Sequence, residues 1–471
     1  MTTDNTATAL DEFESKTHSD TAFIGHPRGL GWLSASEFWE RFSYYGMQTL
    51  LVLYLTHYLL QPGNIEHVWG FEAFRRLIGW VYGQQSTMAL ASNTAQLYAA
   101  LVYVTPLAGG FLADRMIGRT NTVTIGALLM VGGTFLLALN STFLVALALL
   151  LIGVGCFKGN IASQVGDLYT IDDPRRADGF QIYFLGIQLA VIISPFICGT
   201  LGQKVDWHLG FVAAGVGMVL GLAIYLFGRR HFPPEPMRKA GSAEKRPPLT
   251  ARDWKVVILL TALLPVLALS IIGNQEIFDA YLVWGEKTFQ TNFFGFQMPI
   301  TWLVSLDAFV STVTMVGVIA FWRWYGKHWK EPDEITKIVI GVFIAMLGPL
   351  VLAGCAEAAV VMGHRVPVYW AVGFHLLNDI GFAMVLPVGL ALYSRAAPKG
   401  LGGIMIAVYY LHLFAGNMLV GYLGGLLGTM SDTRFWLMHV VLMAISAVVL
   451  LLTRIFFAGL VAPSREDVAA A

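Results

Sequence analysis

The sequence predicts an all-α membrane protein of twelve transmembrane helices arranged as two six-helix bundles. Three observations lead there. Hydrophobic residues make up 56% of the chain and charged residues only 13%, about half the charged share of a soluble domain. Apolar runs of about 20 residues recur, the length that crosses a hydrocarbon core of about 30 Å, whereas a β-barrel would show short alternating segments. The longest polar break, RRHFPPEPMRKAGSAEKRPPLTARD at 229–253, divides these runs six and six.

Taken in order, residues 1–30 are polar and acidic and lack the basic-then-apolar order of a cleavable leader, which predicts a cytoplasmic tail. Spans follow at about 32–59, 88–113, 120–140, 143–167, 178–203 and 208–228, the N-terminal bundle over 31–228. The loop after the first span is long and partly amphipathic, the pattern of a short surface helix. After the cytoplasmic linker 229–253, spans at about 254–287, 298–325, 335–354, 367–394, 402–429 and 433–458 form the C-terminal bundle over 254–459, and 460–471 is a second tail. Connections from even to odd spans hold Arg115, Arg119, Arg175, Arg176, the basic linker, Lys327, Lys330, Arg395 and Lys399. The opposite connections hold fewer: Arg75, Arg76, Lys204, Lys287, Arg365 and Arg434. The excess of positive charge on one side predicts a multi-pass cell-membrane protein with both termini cytoplasmic. Trp80, Tyr82, Trp207, Trp322 and Trp324 fall near span ends, as aromatic anchors at the membrane surface do.

Several function classes drop out. The net charge is zero, which gives no attraction to nucleic acid. Cys156, Cys198 and Cys355 lie in apolar runs, and His208, His231, His364 and His375 are scattered, so neither set has metal-ligand spacing. No phosphate-binding loop supports an ATP-driven pump, and no nucleophile or metal set supports an enzyme. The expected protein is a secondary transporter that works in a lipid bilayer without a cofactor, a monomer sufficing.

The first span poses a question. SASEFWERFSYYGMQTLLVLYL, at 34–55, carries Glu37, Glu40 and Arg41 inside one helix. A charge at the bilayer centre costs about 2.5–3.5 kcal/mol even on lenient insertion scales. The spacing i, i+3, i+4 puts all three on one face, and Tyr44 and Tyr45 extend it by a turn. Two carboxylates competing for one guanidinium form a proton switch if something else can claim the arginine; the alternative is a static ion triad that fixes helix packing. A second motif, GGFLADRMIGR at 109–119, resembles the loop signature G-x-L-A-D-R-x-x-G-R of the major facilitator superfamily. Asp114 can pair with Arg115 or Arg119 there. The resemblance implies the major facilitator fold and a conformational latch formed by Gly110, Asp114, Arg115, Gly118 and Arg119.

E-F-W-E-R-F-S-Y-Y-G also resembles the E-x-x-E-R-F-x-Y-Y-G signature of proton-dependent oligopeptide transporters. AALVYVTPLAGGFLADR is similar to that family's second span, with Tyr103 at its tyrosine. GVGCFKGNIASQVGDLY is similar to its fourth, with Lys158 at its lysine and Gly159 in place of a proline. GLALYSRAAPKGLGGIM resembles its tenth-to-eleventh connection. The resemblance implies symport of protons with di- or tripeptides into the cytosol. Glu37, Glu40, Arg41 and Lys158 would form the coupling network, Arg41 and Lys158 would hold the cargo carboxylate, and Tyr44, Tyr45 and Tyr103 would line the cavity.

Departures from the family concentrate in the substrate motifs. The fifth-span motif F-Y-x-x-I-N-x-G reads YFLGIQLA, with Phe184 at the tyrosine and Gln188 at the asparagine. Tyr183 offers a hydroxyl one residue early, about 100° round the helix. In the second half the family's Glu-Gln, Asn-Pro and Gly-Glu pairs match Asn274–Gln275, Met298–Pro299 and Gly381–Phe382. The groups that would hold a peptide's amino end are thus missing, yet Asp307, Asn378 and Asp379 lie close by. Either the amine pocket has moved by a turn onto these acids, or the cargo is a non-peptide organic anion or a peptide-like compound with no free amine. The acids could instead pair with buried donors such as His375. Cargo identity, proton stoichiometry and oligomeric state are not legible in the sequence.

Overall fold

The computed structural model describes residues 20–83, 86–170, 173–233, 249–398 and 401–461. Most of both predicted tails and the middle of the linker fall outside these residues. The helices of the first half are α1 (Arg28–Tyr54), α2 (Phe71–Tyr82), α3 (Thr87–Leu101), α4 (Thr105–Leu112), α5 (Arg119–Leu136), α6 (Phe143–Asp167), α7 (Arg176–Ser194), α8 (Thr200–Lys204) and α9 (Trp207–Gly228). Those of the second half are α10 (Ala251–Ala262), α11 (Leu264–Ser270), α12 (Ile272–Gln275), α13 (Ala280–Thr288), α14 (Trp302–His328), α15 (Glu334–Ala345), α16 (Leu347–Met362), α17 (Tyr369–Ala396), α18 (Gly402–Gly424) and α19 (Asp432–Val461).

Among the described residues, ten helical segments are long and apolar enough to cross a membrane. The other two predicted spans, Arg28–Tyr54 with its continuation Leu55–Leu59, and Arg119–Leu136, are helical as well but richer in polar residues. The chain is therefore all-α with the twelve-span layout. Three predicted spans are discontinuous, the ninth at Met346 between α15 and α16. The second breaks at 102–104, just before Pro106, whose missing amide is tolerated in the first turn of α4. The seventh breaks at Leu263, two residues before Pro265, at Ile271, and again at Asp279, whose backbone (φ −136, ψ −119) leaves the helical region between the turn Glu276–Phe278 and α13.

The described residues form two compact units, one within Met1–Phe74 and Val104–Ala243, the other within Arg75–Tyr103 and Glu244–Ala471. In the first, α1 packs on α7 and α9, and α6 packs on α4 and α5. Gly109 on α4 permits that contact, since a Cβ there would run into the Gly155 carbonyl of α6. Near the end of α6, Tyr169 hydrogen-bonds to His26 at 2.9 Å. Burial pushes the Tyr169 phenol up to about 12, so it stays neutral at physiological pH.

In the second unit α17 packs on α14, α15 and α16, while α18 packs on α3 and α11. Its apolar core includes Leu260, Leu267, Val342, Leu392, Tyr409 and Leu413. Gly421 opens α18 to α3, since its Cβ would meet Gln96 Cβ at 3.1 Å and Asn93 Cα at 3.3 Å. Sequence order alone does not reveal that α3 belongs with this unit. Two small ribbons were not predicted. Strand β1 (Phe289–Gln290) pairs in parallel with β4 (Val366–Pro367), and β2 (Asn292–Phe293) pairs with β3 (Phe296–Gln297) in a hairpin. Its turn residues Phe294 and Gly295 both have positive φ (51 and 85), as a tight hairpin requires. The expected surface helix is α2, with Trp80 85% exposed. Tyr82 differs from the anchor expected of it: it is buried and its hydroxyl donates to Met418 Sδ at 3.1 Å.

Candidate functional site

Within the first unit, the charges of α1 converge as their spacing requires. Arg41 Nε hydrogen-bonds to Glu40 and lies 3.1 Å from Glu37 Oε1. Glu37, Glu40 and Arg41 are 2%, 0% and 3% exposed. One guanidinium thus serves two carboxylates away from water. Glu37 Oε2, Glu40 Oε1 and Arg41 Nη2 have no hydrogen-bond partner. A structural ion triad would use those atoms, because unpaired buried polar atoms are costly. The unused capacity suits a group that waits for another ligand.

Neighbouring helices complete the group. Lys158, half-buried on α6, lies within Coulombic reach of Arg41 and both carboxylates. The Tyr44 ring sits under the Arg41 guanidinium, 5.4 Å from its carbon, and edge-on to Tyr45, which bonds Arg41 through its hydroxyl. Tyr183 of α7 is 2% exposed and bonds Glu37, whereas Phe184 is 58% exposed. The hydroxyl that lies one residue early in the sequence is therefore the one that faces inward. Gln188 is half-buried on the same helix. Tyr103 belongs to the second unit and packs on its apolar core.

The loop after α4 is ordered around Asp114, which pairs with Arg119 at 3.5 Å. Arg119 also bonds Asp167 at the end of α6. Arg115 instead lies 5.3 Å over the Phe111 ring. Gly118 has φ +80 and makes the turn into α5. Gly110 sits on α4, where a Cβ would meet nothing within 4 Å.

In the second unit, Asn274 and Gln275 are half-buried on α12 and bond each other at 3.1 Å. Asp307 of α14 is bonded to His375 Nδ1 at 2.9 Å, the pairing left open by the sequence. Asn378 donates to Asp379 Oδ1 at 3.1 Å. Oxygens of the two acids and a His375 nitrogen lie within 4.8 Å of one another, a spacing that could admit a cation. Tyr281 lies 3.0 Å from His375 Nε2 and completes the cluster. Sequence reasoning missed Tyr281, which lies far from His375 along the chain. It also missed two buried contacts: Glu276 Oε1 with His439 Nε2 at 2.9 Å, and Asp279 with Ser92 of α3. These partners are 163 and 187 residues apart, beyond any local pattern.

The chain has known counterparts. A family model described as PTR2, POT family, matches residues 120–257. A di-/tripeptide transporter of Lactococcus lactis subsp. lactis (strain IL1403) is 32% identical, over 90% of this chain and 82% of its own length. The uncharacterized transporter YclF of Bacillus subtilis (strain 168) is 29% identical, over 88% and 91%. A crystal structure of the peptide transporter POT, as a glutamate-to-glutamine mutant in complex with alafosfalin, superposes with TM-score 0.83 at 25% identity. It covers 96% of this chain and 99% of that one.

Proposed function

The chain belongs to the POT family of membrane transporters, and on that premise we propose that it imports di- and tripeptides together with protons by alternating access. The observation that carries the proposal is the set Glu37, Glu40, Arg41 and Lys158, two cations and two acids, in which the buried Glu37, Glu40 and Arg41 each keep an atom with unused bonding capacity. A peptide carboxylate that binds Arg41 and Lys158 draws the guanidinium off one glutamate. That glutamate, stripped of its partner in a dry place, takes a proton. When the proton leaves, the carboxylate reclaims Arg41 and the cargo is released. Tyr44, Tyr45, Tyr103 and Gln188 line the path, and Gly110, Asp114, Arg115, Gly118 and Arg119 form the cytoplasmic latch. Both termini face the cytoplasm and a monomer suffices.

Asp307 and Asp379, with Asn378, Asn274 and Gln275, supply the negative and polar chemistry that a peptide amine needs. Relatives named as di-/tripeptide transporters give no support to the alternative of a cargo without an amine. The driving force is adequate: one proton gains about 2.3 kcal/mol through 100 mV and about 1.36 per pH unit, together several-hundred-fold accumulation of a neutral cargo. The test is uptake into proteoliposomes under a proton gradient, with dialanine, N-acetyl-dialanine and a simple organic acid compared. Dialanine is expected to accumulate and its N-acetyl form to be carried poorly; accumulation of the organic acid alone would replace this reading with organic-anion transport.

A further inference from the structure

Along α14, Val313, Gly317, Phe321 and Tyr325 recur at steps of four and line one groove of about 650 Å³, a size that holds a small ligand. Between Val313 and Tyr325 the groove follows about 18 Å of helix, at about 1.5 Å per residue. That is close to one leaflet, half of a hydrocarbon core about 30 Å thick. Its inner end is aliphatic: Ile344 comes from α15 and Ile380 from α17, which packs on both α14 and α15. Gly317 leaves room there, since a Cβ would meet nothing within 4 Å. The end nearer the loop after α14 is different. Trp322, Tyr325 and Pro332 line it, and Lys337 Nζ lies 4.9 Å from the Trp322 ring centroid. Trp322 Nε1 is buried and has no acceptor. An apolar trough with one orphan donor near its outer end matches the order of groups in a phospholipid, a hydrocarbon tail and then an ester carbonyl.

The charges beyond that end select the headgroup. Each acid of the loop and of the start of α15 already has a cation: Glu331 pairs with Lys337, Asp333 with Arg454 at 2.6 Å and Glu334 with Arg395 at 2.6 Å. Arg323, Lys327 and Lys330 form no ion pair among the described residues and are exposed. Their uncompensated charge draws anionic headgroups. A second copy of the chain meeting this face about a two-fold axis would bring the same cations to the same membrane side, which disfavours it as the occupant. We propose that the groove binds one phospholipid with an anionic headgroup. An acyl chain lies along Val313, Gly317, Ile344 and Ile380, an ester carbonyl accepts from Trp322 Nε1, and the phosphate sits among Arg323, Lys327 and Lys330. The site does not depend on the cargo assigned above.

The test is native mass spectrometry of the full-length protein, released from detergent after incubation with equal amounts of dioleoyl-phosphatidylglycerol and dioleoyl-phosphatidylcholine. The wild type is expected to retain one phosphatidylglycerol, preferred roughly fivefold or more. Gly317→Leu fills the groove from a position with open space, and Val313→Trp does so from one that is 55% exposed; both are expected to lose the lipid. Lys327→Gln with Lys330→Gln is expected to keep a lipid and to lose the preference. Retention at the wild-type level in either folded groove-filling variant, or no lipid on the wild type, overturns the site. Equal retention of the two lipids by the wild type overturns the anionic headgroup, and a wild-type dimer that both fillings dissolve gives the face to a second copy instead. Since the readout needs no cargo, failure of dialanine to enter counts against the peptide reading alone.

Discussion

Replacing Glu37 by glutamine isolates the switch, because the side chain keeps its size and loses only its charge. In the structure Glu37 Oε1 lies 3.1 Å from Arg41 Nε. Two unit charges at that distance attract by about 5 kcal/mol at an effective dielectric of about 20. A neutral amide hydrogen bond restores about 1 kcal/mol of this. The competition between Glu37 and Glu40 for Arg41 is thus biased by about 4 kcal/mol, or roughly 10²–10³ in the equilibrium. Folding is affected far less, since the lost attraction is offset by not burying a charge. Arg41 then stays with Glu40, and the cycle loses the step in which a glutamate exchanges arginine for a proton. The assay is uptake into proteoliposomes, driven by a pH gradient or by counterflow against preloaded cargo. Gradient-driven accumulation is expected to fall to the equilibrated level while counterflow persists. Concentrative uptake at the wild-type level would refute the reasoning.

Three further outcomes are expected. Tyr183→Phe removes the hydroxyl on Glu37 and should shift the pH profile of uptake, while Phe184→Tyr, at an exposed position, should leave it in place. Gly109→Ala should cost about 1–3 kcal/mol of stability by driving a Cβ into the Gly155 carbonyl; Gly110→Ala, with open space around it, should be neutral or better in the same detergent thermal-shift measurement. His439→Leu strands the Glu276 carboxylate where both residues are 0% exposed and should cost about 3–5 kcal/mol, with Glu276→Gln on that background recovering part of the loss.

The first-half site was legible because its members share a helix face, and spacing along one helix is a local property. A charged triad in an apolar span also has few explanations, which made Glu37, Glu40 and Arg41 conspicuous. The break in the second span was within reach, since Pro106 announces it. The inward turn of Tyr183 was not, because the direction a helix faces is set by its neighbours α1 and α6. In the second half the acids could be found and His375 named as a possible partner, but which acid it meets could not be read. Asp307 meets His375 across 68 residues, a contact made by the packing of α14 on α17. The grouping of α3 with the second unit likewise depends on Gly421, which is unremarkable until Asn93 and Gln96 are seen against it.

The claim that bears the most weight is that cargo and protons move together through the chain. A pH-sensitive dye in the lumen of lightly buffered proteoliposomes, held at zero membrane potential, reads this directly while labelled dialanine enters. The lumen is expected to acidify in step with uptake, and Glu37→Gln vesicles to show no cargo-dependent change. Dialanine that accumulates above its outside concentration in wild-type vesicles while the lumen pH stays constant would contradict the account.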